Sequence, residues 1–206
     1  MAIPDLIFYT NPQSRGRIAR WMLEEVGEPY ETRILEYGDE MKSPEFRTLN
    51  PMGKVPTIVH GGVVVTEAAA ICAYLADVFP DAKLKPENEQ LGPYYRWLFF
   101  AAGPIELLTT MVTLGFEETG EHERMLGFGK YQDLENNLTS WLDRNEYVVG
   151  DRFTAADVYL SSHLGWGKQM HTLKENATFQ DYVDRTQSRP AHVRAQEIDD
   201  NLIAQS

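Results

Sequence analysis

Two domains of different class are expected, a small α/β domain over residues 1–81 and an all-helical domain over 91–206, joined by a linker at 82–90. Three observations carry this. Up to Pro80 the apolar residues alternate between strand-like and helix-like periods in the order β-α-β-α-β-β-α. The stretch 82–90, AKLKPENEQ, is polar and holds a proline. Beyond it the apolar residues keep helical spacing over 92–116, 121–144, 154–167 and 178–186.

Leu6 to Tyr9 reads as a strand. Arg15 to Val26 reads as a helix, with Ile18, Trp21, Met22 and Glu25 spaced by turns and Gly27 as its stop. PYETRILE, 29–36, is a second strand, and SPEFRTLNP, 43–51, a short helix ending before Pro51. VPTIVHGGVVVTE, 55–67, is a hairpin turning at Gly61-Gly62. EAAAICAYLADVFP, 67–80, is a helix closed by Pro80. In the second domain FTAADVYL, 153–160, carries a capping box, Thr154 as N-cap and Asp157 three residues on.

Composition narrows the function. The chain has 206 residues and a net charge of -12, which disfavours a nucleic-acid backbone or an anionic membrane surface as partner. A single cysteine, Cys72, permits no internal disulfide and fits a reducing cytoplasmic setting. Mid-helix among Ile71, Tyr74 and Leu75, it reads as buried and inert. The N-terminus lacks the pattern of a signal peptide, and no apolar run is long enough to span a membrane. The five histidines show no metal spacing, so no metal is expected. Phe99, Phe100, Leu107, Leu108 and Met111 recur at helical spacing and read as core, with one edge free to line an apolar cleft.

Three stretches are candidates for chemistry. YTNPQSRGR, 9–17, crowds hydroxyls and polar groups at a strand–helix junction where thiol enzymes often hold a cysteine. MGKVPTI, 52–58, reads either as the turn opening an edge strand or as a cis Val55–Pro56 bond. A cis bond would turn the Val55 backbone outward to pair with an extended peptide, beside the charge of Lys54. In VVVTEAAAI, 63–71, Glu67 opens a helix. The acid either just complements the helix dipole or, with the free N–H groups of Ala68 and Ala69, receives both charges of an amino-acid end.

NPMGKVPTI at 50–58, TEAAAICAYL at 66–75 and VVGDRFTAADVYL at 148–160 resemble, in this order, the cytosolic glutathione S-transferases, along the whole chain. The pattern is that of a bacterial member of serine or tyrosine type; no cysteine stands in the first loop for a cysteine type. The second motif departs at Ala68, where the family commonly has serine, which costs one hydroxyl contact. The resemblance implies a thioredoxin-like first domain, glutathione as co-substrate, and a homodimer packing the first domain of each subunit against the second of the other. It assigns Val55 and a cis Pro56 to the cysteinyl part of glutathione, Glu67 and Ala68 to its γ-glutamyl end, and Lys54 with Lys42 to its glycine carboxylate. It also implies that Asn11, Gln13 and Arg15, in the loop after the first strand, bind glutathione. The electrophile would rest between the domains against Phe100, Leu107 and Trp166.

Glutathione brings its own thiol, and the protein must favour the thiolate. Lowering a thiol pKa by about two units takes about 2.7 kcal/mol. One hydrogen bond to a charged group gives about 1.5–3 kcal/mol, and a helix N-terminus up to about 1. Ser14, just before the first helix, is the favoured donor; Tyr9, which falls where tyrosine-type members carry theirs, is the other, and Asn11 and Gln13 are weaker alternatives. The expected function is a glutathione transferase acting on a small hydrophobic electrophile. The alternatives are a non-catalytic binding or regulatory protein on the same scaffold, and a glutathione-dependent isomerase or dehalogenase.

Overall fold

A computed structural model describes residues 5–116 and 119–205. The chain divides into two compact units, Met1–Lys83 with Arg189–Ser206, and Leu84–Ser188.

In the first unit the order is β1 (Leu6–Thr10), α1 (Gly16–Val26), β2 (Glu31–Ile34), α2 (Pro44–Leu49), β3 (Thr57–His60), β4 (Val63–Thr66) and α3 (Ala68–Val78), the order the sequence predicts. The sheet runs β2-β1-β3-β4, with β1 and β2 parallel and the other pairs antiparallel. It is the thioredoxin-like arrangement. Gly61 and Gly62 turn the β3–β4 hairpin with φ of 54° and 82°, values that a side chain resists. Phe8 and Ile58 of the sheet, Ile18, Trp21 and Met22 of α1, and Ile71 and Leu75 of α3 are buried together in the core. Cys72 is buried with them as expected, and burial pushes its thiol far above the ordinary value.

The last helix, α9 (Pro190–Ala204), departs from the expected division. It packs on α1 and so belongs to the first unit, whereas the helical domain was expected to run to residue 206. Charge pairs fix it there. Arg189 grips Glu25 through two hydrogen bonds of 2.7 and 2.8 Å, Arg194 reaches Glu24, and Arg17 reaches Asp200. At the centre Arg20 and Asp199, each 1% exposed, meet at 2.7 Å.

The second unit holds α4 (Leu91–Phe100), α5 (Glu106–Thr113), α6 (Tyr131–Leu142), α7 (Ala155–Gln169) and α8 (Ala177–Gln187). A π-helical turn, Ala101–Ile105, joins α4 to α5, so the expected helix over 92–116 is a broken one. The helix expected from residue 121 begins only at Tyr131; Gly127 and Gly129, the latter at φ 66°, interrupt it. Phe99 is 67% exposed rather than core. The capping box forms: the Thr154 amide and hydroxyl both donate to Asp157 Oδ2, at 2.8 and 2.9 Å. Among the described residues no helix is long and apolar enough to cross a membrane, and no group of His, Cys, Asp and Glu could hold a metal.

Candidate functional site

Strand register brings three loops of the first unit to one end of the sheet. Tyr9 lies opposite Thr57, and Thr57 opposite Thr66. The loop leaving β1, the turn entering β3 and the junction leaving β4 therefore emerge side by side, about 5 Å apart per strand. The first turns of α1 and α3 start at this same end.

The β1–α1 loop is held from within. Asn11, 4% exposed, donates its Nδ2 to the Leu35 carbonyl at 3.0 Å and accepts from the Gln13 amide at 2.9 Å. Its carbonyl receives the Ser14 hydroxyl at 2.7 Å, and Ser14 Oγ accepts from the Gly16 amide at 2.9 Å. The hydroxyl thus stands half-buried at the first turn of α1, where the positive end of the helix dipole lies. Gly16 is required by close approach, since a Cβ there would meet Thr10 Oγ1 at 1.9 Å. Arg17 clamps the loop from outside, donating to the Pro12 carbonyl at 2.8 Å while its guanidinium reaches Gln196 and Asp200 of α9. Gln13 and Arg15 are exposed, and the Gln13 carbonyl accepts from the Tyr37 hydroxyl at 3.1 Å.

Tyr9 is differently engaged. Its ring packs on Phe46 of α2 at 5.5 Å, and its hydroxyl accepts from Arg33 at 3.0 Å. Only 9% of the residue is exposed.

The Val55–Pro56 bond is cis, as expected. Among the described residues neither the amide nor the carbonyl of Val55 has a hydrogen-bond partner. The turn before it is tied from both sides. Asn50, 4% exposed, donates to the Lys54 carbonyl at 2.8 Å and to Thr57 Oγ1 at 3.2 Å, and accepts from the Met52 amide at 3.0 Å. Lys42 donates to the carbonyls of Met52 and Gly53 at 2.9 and 2.7 Å. Lys42 thus shapes the turn and brings charge to it, and Lys54 is exposed beside it. Asn50 opens the NPMGKVPTI motif, but the sequence alone assigns it no part in holding the turn. Its signal is an Asn-Pro followed by a glycine, here Gly53 at φ 56°, a turn whose side chain bonds its own backbone.

Glu67 adopts φ 67°, ψ 120°, a backbone conformation that is costly for a non-glycine residue and that gathers at functional sites. Its carbonyl accepts the first helical bond, from Ile71 at 2.9 Å. The amides of Ala68, Ala69 and Ala70 are left at the head of α3. The Glu67 carboxylate is exposed and has no partner among the described residues.

The three candidates for the electrophile lie in the second unit. Phe100 is half-buried edge-on to Trp97 at 5.3 Å, Leu107 is 36% exposed, and Trp166 is half-buried at 5.9 Å from His163.

A thioredoxin-like domain with a cis-proline turn and two helix heads at one sheet end, joined to a helical unit, defines the class. Residues 15–78 match the family model of the glutathione S-transferase N-terminal domain. The chain is 26% identical to glutathione S-transferase 3 of Schizosaccharomyces pombe, over 96% of this chain and 90% of the relative. Among solved structures it is similar to a glutathione transferase of Methylococcus capsulatus, 26% identical, with a TM-score of 0.77 and coverage of 94% and 98% of the two chains. It is likewise similar to the theta class enzyme of Xanthomonas axonopodis pv. citri, solved with glutathione bound: 25% identity, TM-score 0.76, coverage 94% and 97%. These matches support a place for the chain in the glutathione S-transferase family, and a transferase as its enzyme class.

Proposed function

We propose that the protein binds glutathione at the sheet end formed by the three loops and transfers it to a small hydrophobic electrophile, with Ser14 as the donor to the thiolate. The observation that carries this reading is the Ser14 hydroxyl at the head of α1, on the sheet end where the cis-proline turn leaves the Val55 backbone unpaired. The Val55 amide and carbonyl fit the cysteinyl backbone, which would pair with them as a strand does. The Ala68 and Ala69 amides suit the γ-glutamyl carboxylate and Glu67 its ammonium. Lys42 and Lys54 carry the charge for the glycine carboxylate, with Arg15 contributed by the β1–α1 loop.

Ser14 now gives its proton to a neutral carbonyl. Exchanging that acceptor for a thiolate replaces a bond worth about 0.5–1.5 kcal/mol by one worth about 1.5–3. Tyr9 is less suited, because its phenol already packs against Phe46 and accepts from Arg33. The thiol proton leaves to solvent, the sulfur forms a bond to the electrophilic carbon, and the leaving group departs with its electron pair. Phe100, Leu107 and Trp166 supply apolar surface for that electrophile. A homodimer in the cytoplasm accompanies this reading, and light scattering at micromolar concentration tests the dimer.

Ala68 favours one rival, a scaffold that binds its partner without turnover. Glutathione consumption with 1-chloro-2,4-dinitrobenzene, followed by absorbance, separates the two. Turnover well above the uncatalysed rate supports the transferase. Saturable glutathione binding without turnover on this or other activated halides and enones would reject it in favour of the binding protein.

A further inference from the structure

Three consecutive carbonyls lead into Ser14, and a donor holds each of them. Residues 11–14 form a β-turn, in which the Ser14 amide returns to the Asn11 carbonyl at 3.1 Å. The Asn11 carbonyl also receives the Ser14 hydroxyl at 2.7 Å, and the Pro12 carbonyl accepts from Arg17 Nε at 2.8 Å. The Gln13 carbonyl accepts from outside the turn, from the Tyr37 hydroxyl at 3.1 Å. The Gln13 carbonyl and the Ser14 amide belong to one planar peptide unit. Tyr37 and the Asn11 carbonyl therefore hold that plane from its two sides, and its tilt carries the Ser14 Cα and the direction of the hydroxyl with it.

Tyr37 lies on the loop 35–43 between β2 and α2, and this loop is tied at both ends. At its start the Leu35 amide donates to the Thr10 carbonyl at 2.9 Å, and the Leu35 carbonyl accepts from Asn11 at 3.0 Å. At its end Lys42 donates to the carbonyls of Met52 and Gly53, before the cis proline. The Met41 carbonyl comes so near Gly53 that a Cβ there would meet it at 2.4 Å. The loop thus joins the Ser14 turn to the Val55–Pro56 turn. The Tyr37 ring is 59% exposed, so core packing does not account for where it stands.

We propose that Tyr37 is a positioning residue for the thiolate donor: by holding the Gln13 carbonyl, it aims the Ser14 hydroxyl at the bound sulfur. The inference rests on the reading of Ser14 as that donor. When the hydroxyl turns from the Asn11 carbonyl to a thiolate, that carbonyl keeps the Ser14 amide, so the turn survives the exchange. Tyr37 then limits the directions open to the released hydroxyl, and the donor is ordered before the thiol ionises.

The test is Tyr37→Phe in the full chain, which keeps the ring and removes the donor. With saturating glutathione, ultraviolet absorbance titrated with pH should show the bound thiol's pKa raised by about half a unit, about threefold less thiolate below it. Turnover of 1-chloro-2,4-dinitrobenzene should fall about threefold at about pH 6 and approach the wild type near about pH 9, where the thiolate forms unaided. Glutathione affinity at about pH 5, where the bound thiol is neutral, should be unchanged; a merely structural role would weaken binding and rate at every pH. In the Ser14→Ala background Tyr37→Phe should add nothing, since no hydroxyl is left to aim. A pKa that Tyr37→Phe leaves in place while Ser14→Ala raises it would overturn the proposal and leave Ser14 as the donor. A rate loss equal at all pH values, or a full further effect in Ser14→Ala, would overturn it too. A pKa that Ser14→Ala itself leaves in place would reject the reading of Ser14, and the positioning role with it.

Discussion

Ser14 and Gly16 divide the work at the head of α1: one supplies a hydroxyl, the other leaves room for it. Gly16→Ala would drive a methyl group into Thr10 Oγ1, so we expect a loss of about 1–3 kcal/mol in urea unfolding, together with weaker glutathione binding. Unchanged stability would mean that the loop shifts freely. Asn50 acts through the turn rather than by contact. Asn50→Ala leaves the Lys54 carbonyl and Met52 amide without their partner and should raise KM for glutathione more than it lowers kcat, with a stability cost of about 1–3 kcal/mol. The place of Ser14 at the head of α1 and the cis Val55–Pro56 bond were legible because loop position and motif spacing are local. The side-chain surroundings of Tyr9 were not, since they depend on Phe46 and Arg33, brought in by folding.

Helix α9 shows where periodicity ran out. Its central inward residue is Asp199, a charge, and its partner Arg20 lies 179 residues earlier in the chain. A pattern search for apolar spacing passes over such a helix, because what makes burial tolerable is a partner far away in sequence. Breaking a buried pair leaves an uncompensated charge, so Asp199→Ala should cost about 3–5 kcal/mol in urea unfolding. The joint replacement Arg20→Met with Asp199→Leu should recover much of it. Helix α7 is the opposite case, legible from its capping box alone. What the sequence could not show is the full load on Asp157, which also accepts from the Val148 amide and the Tyr182 hydroxyl, both at 2.9 Å. Burial pushes its carboxyl up to about 6, against the pull of those donors. A folded-state value above the unfolded one means that the fold binds the proton more tightly. This contribution is therefore complete below about pH 4 and lost as the pH rises through about 6. Stability of the wild type relative to Asp157→Asn should fall across that window in chemical denaturation; a difference that stays level or grows would contradict the assignment.

At the scale of the molecule, the order of elements through residue 80 and the helical character of the second unit were readable because each element carries its own period and punctuation. The assignment of the C-terminal helix to the first unit was not, since nothing local says which surface a helix will cover. The central claim joins this fold to one chemical event, ionisation of a bound thiol by Ser14. Ultraviolet absorbance of the glutathione thiolate, titrated with pH in the presence of saturating protein, reads that event directly. We predict that bound glutathione ionises about two pKa units below the free thiol, and that Ser14→Ala returns it most of the way. A shift that persists undiminished in Ser14→Ala, or glutathione that binds with its thiol unshifted, would contradict the claim.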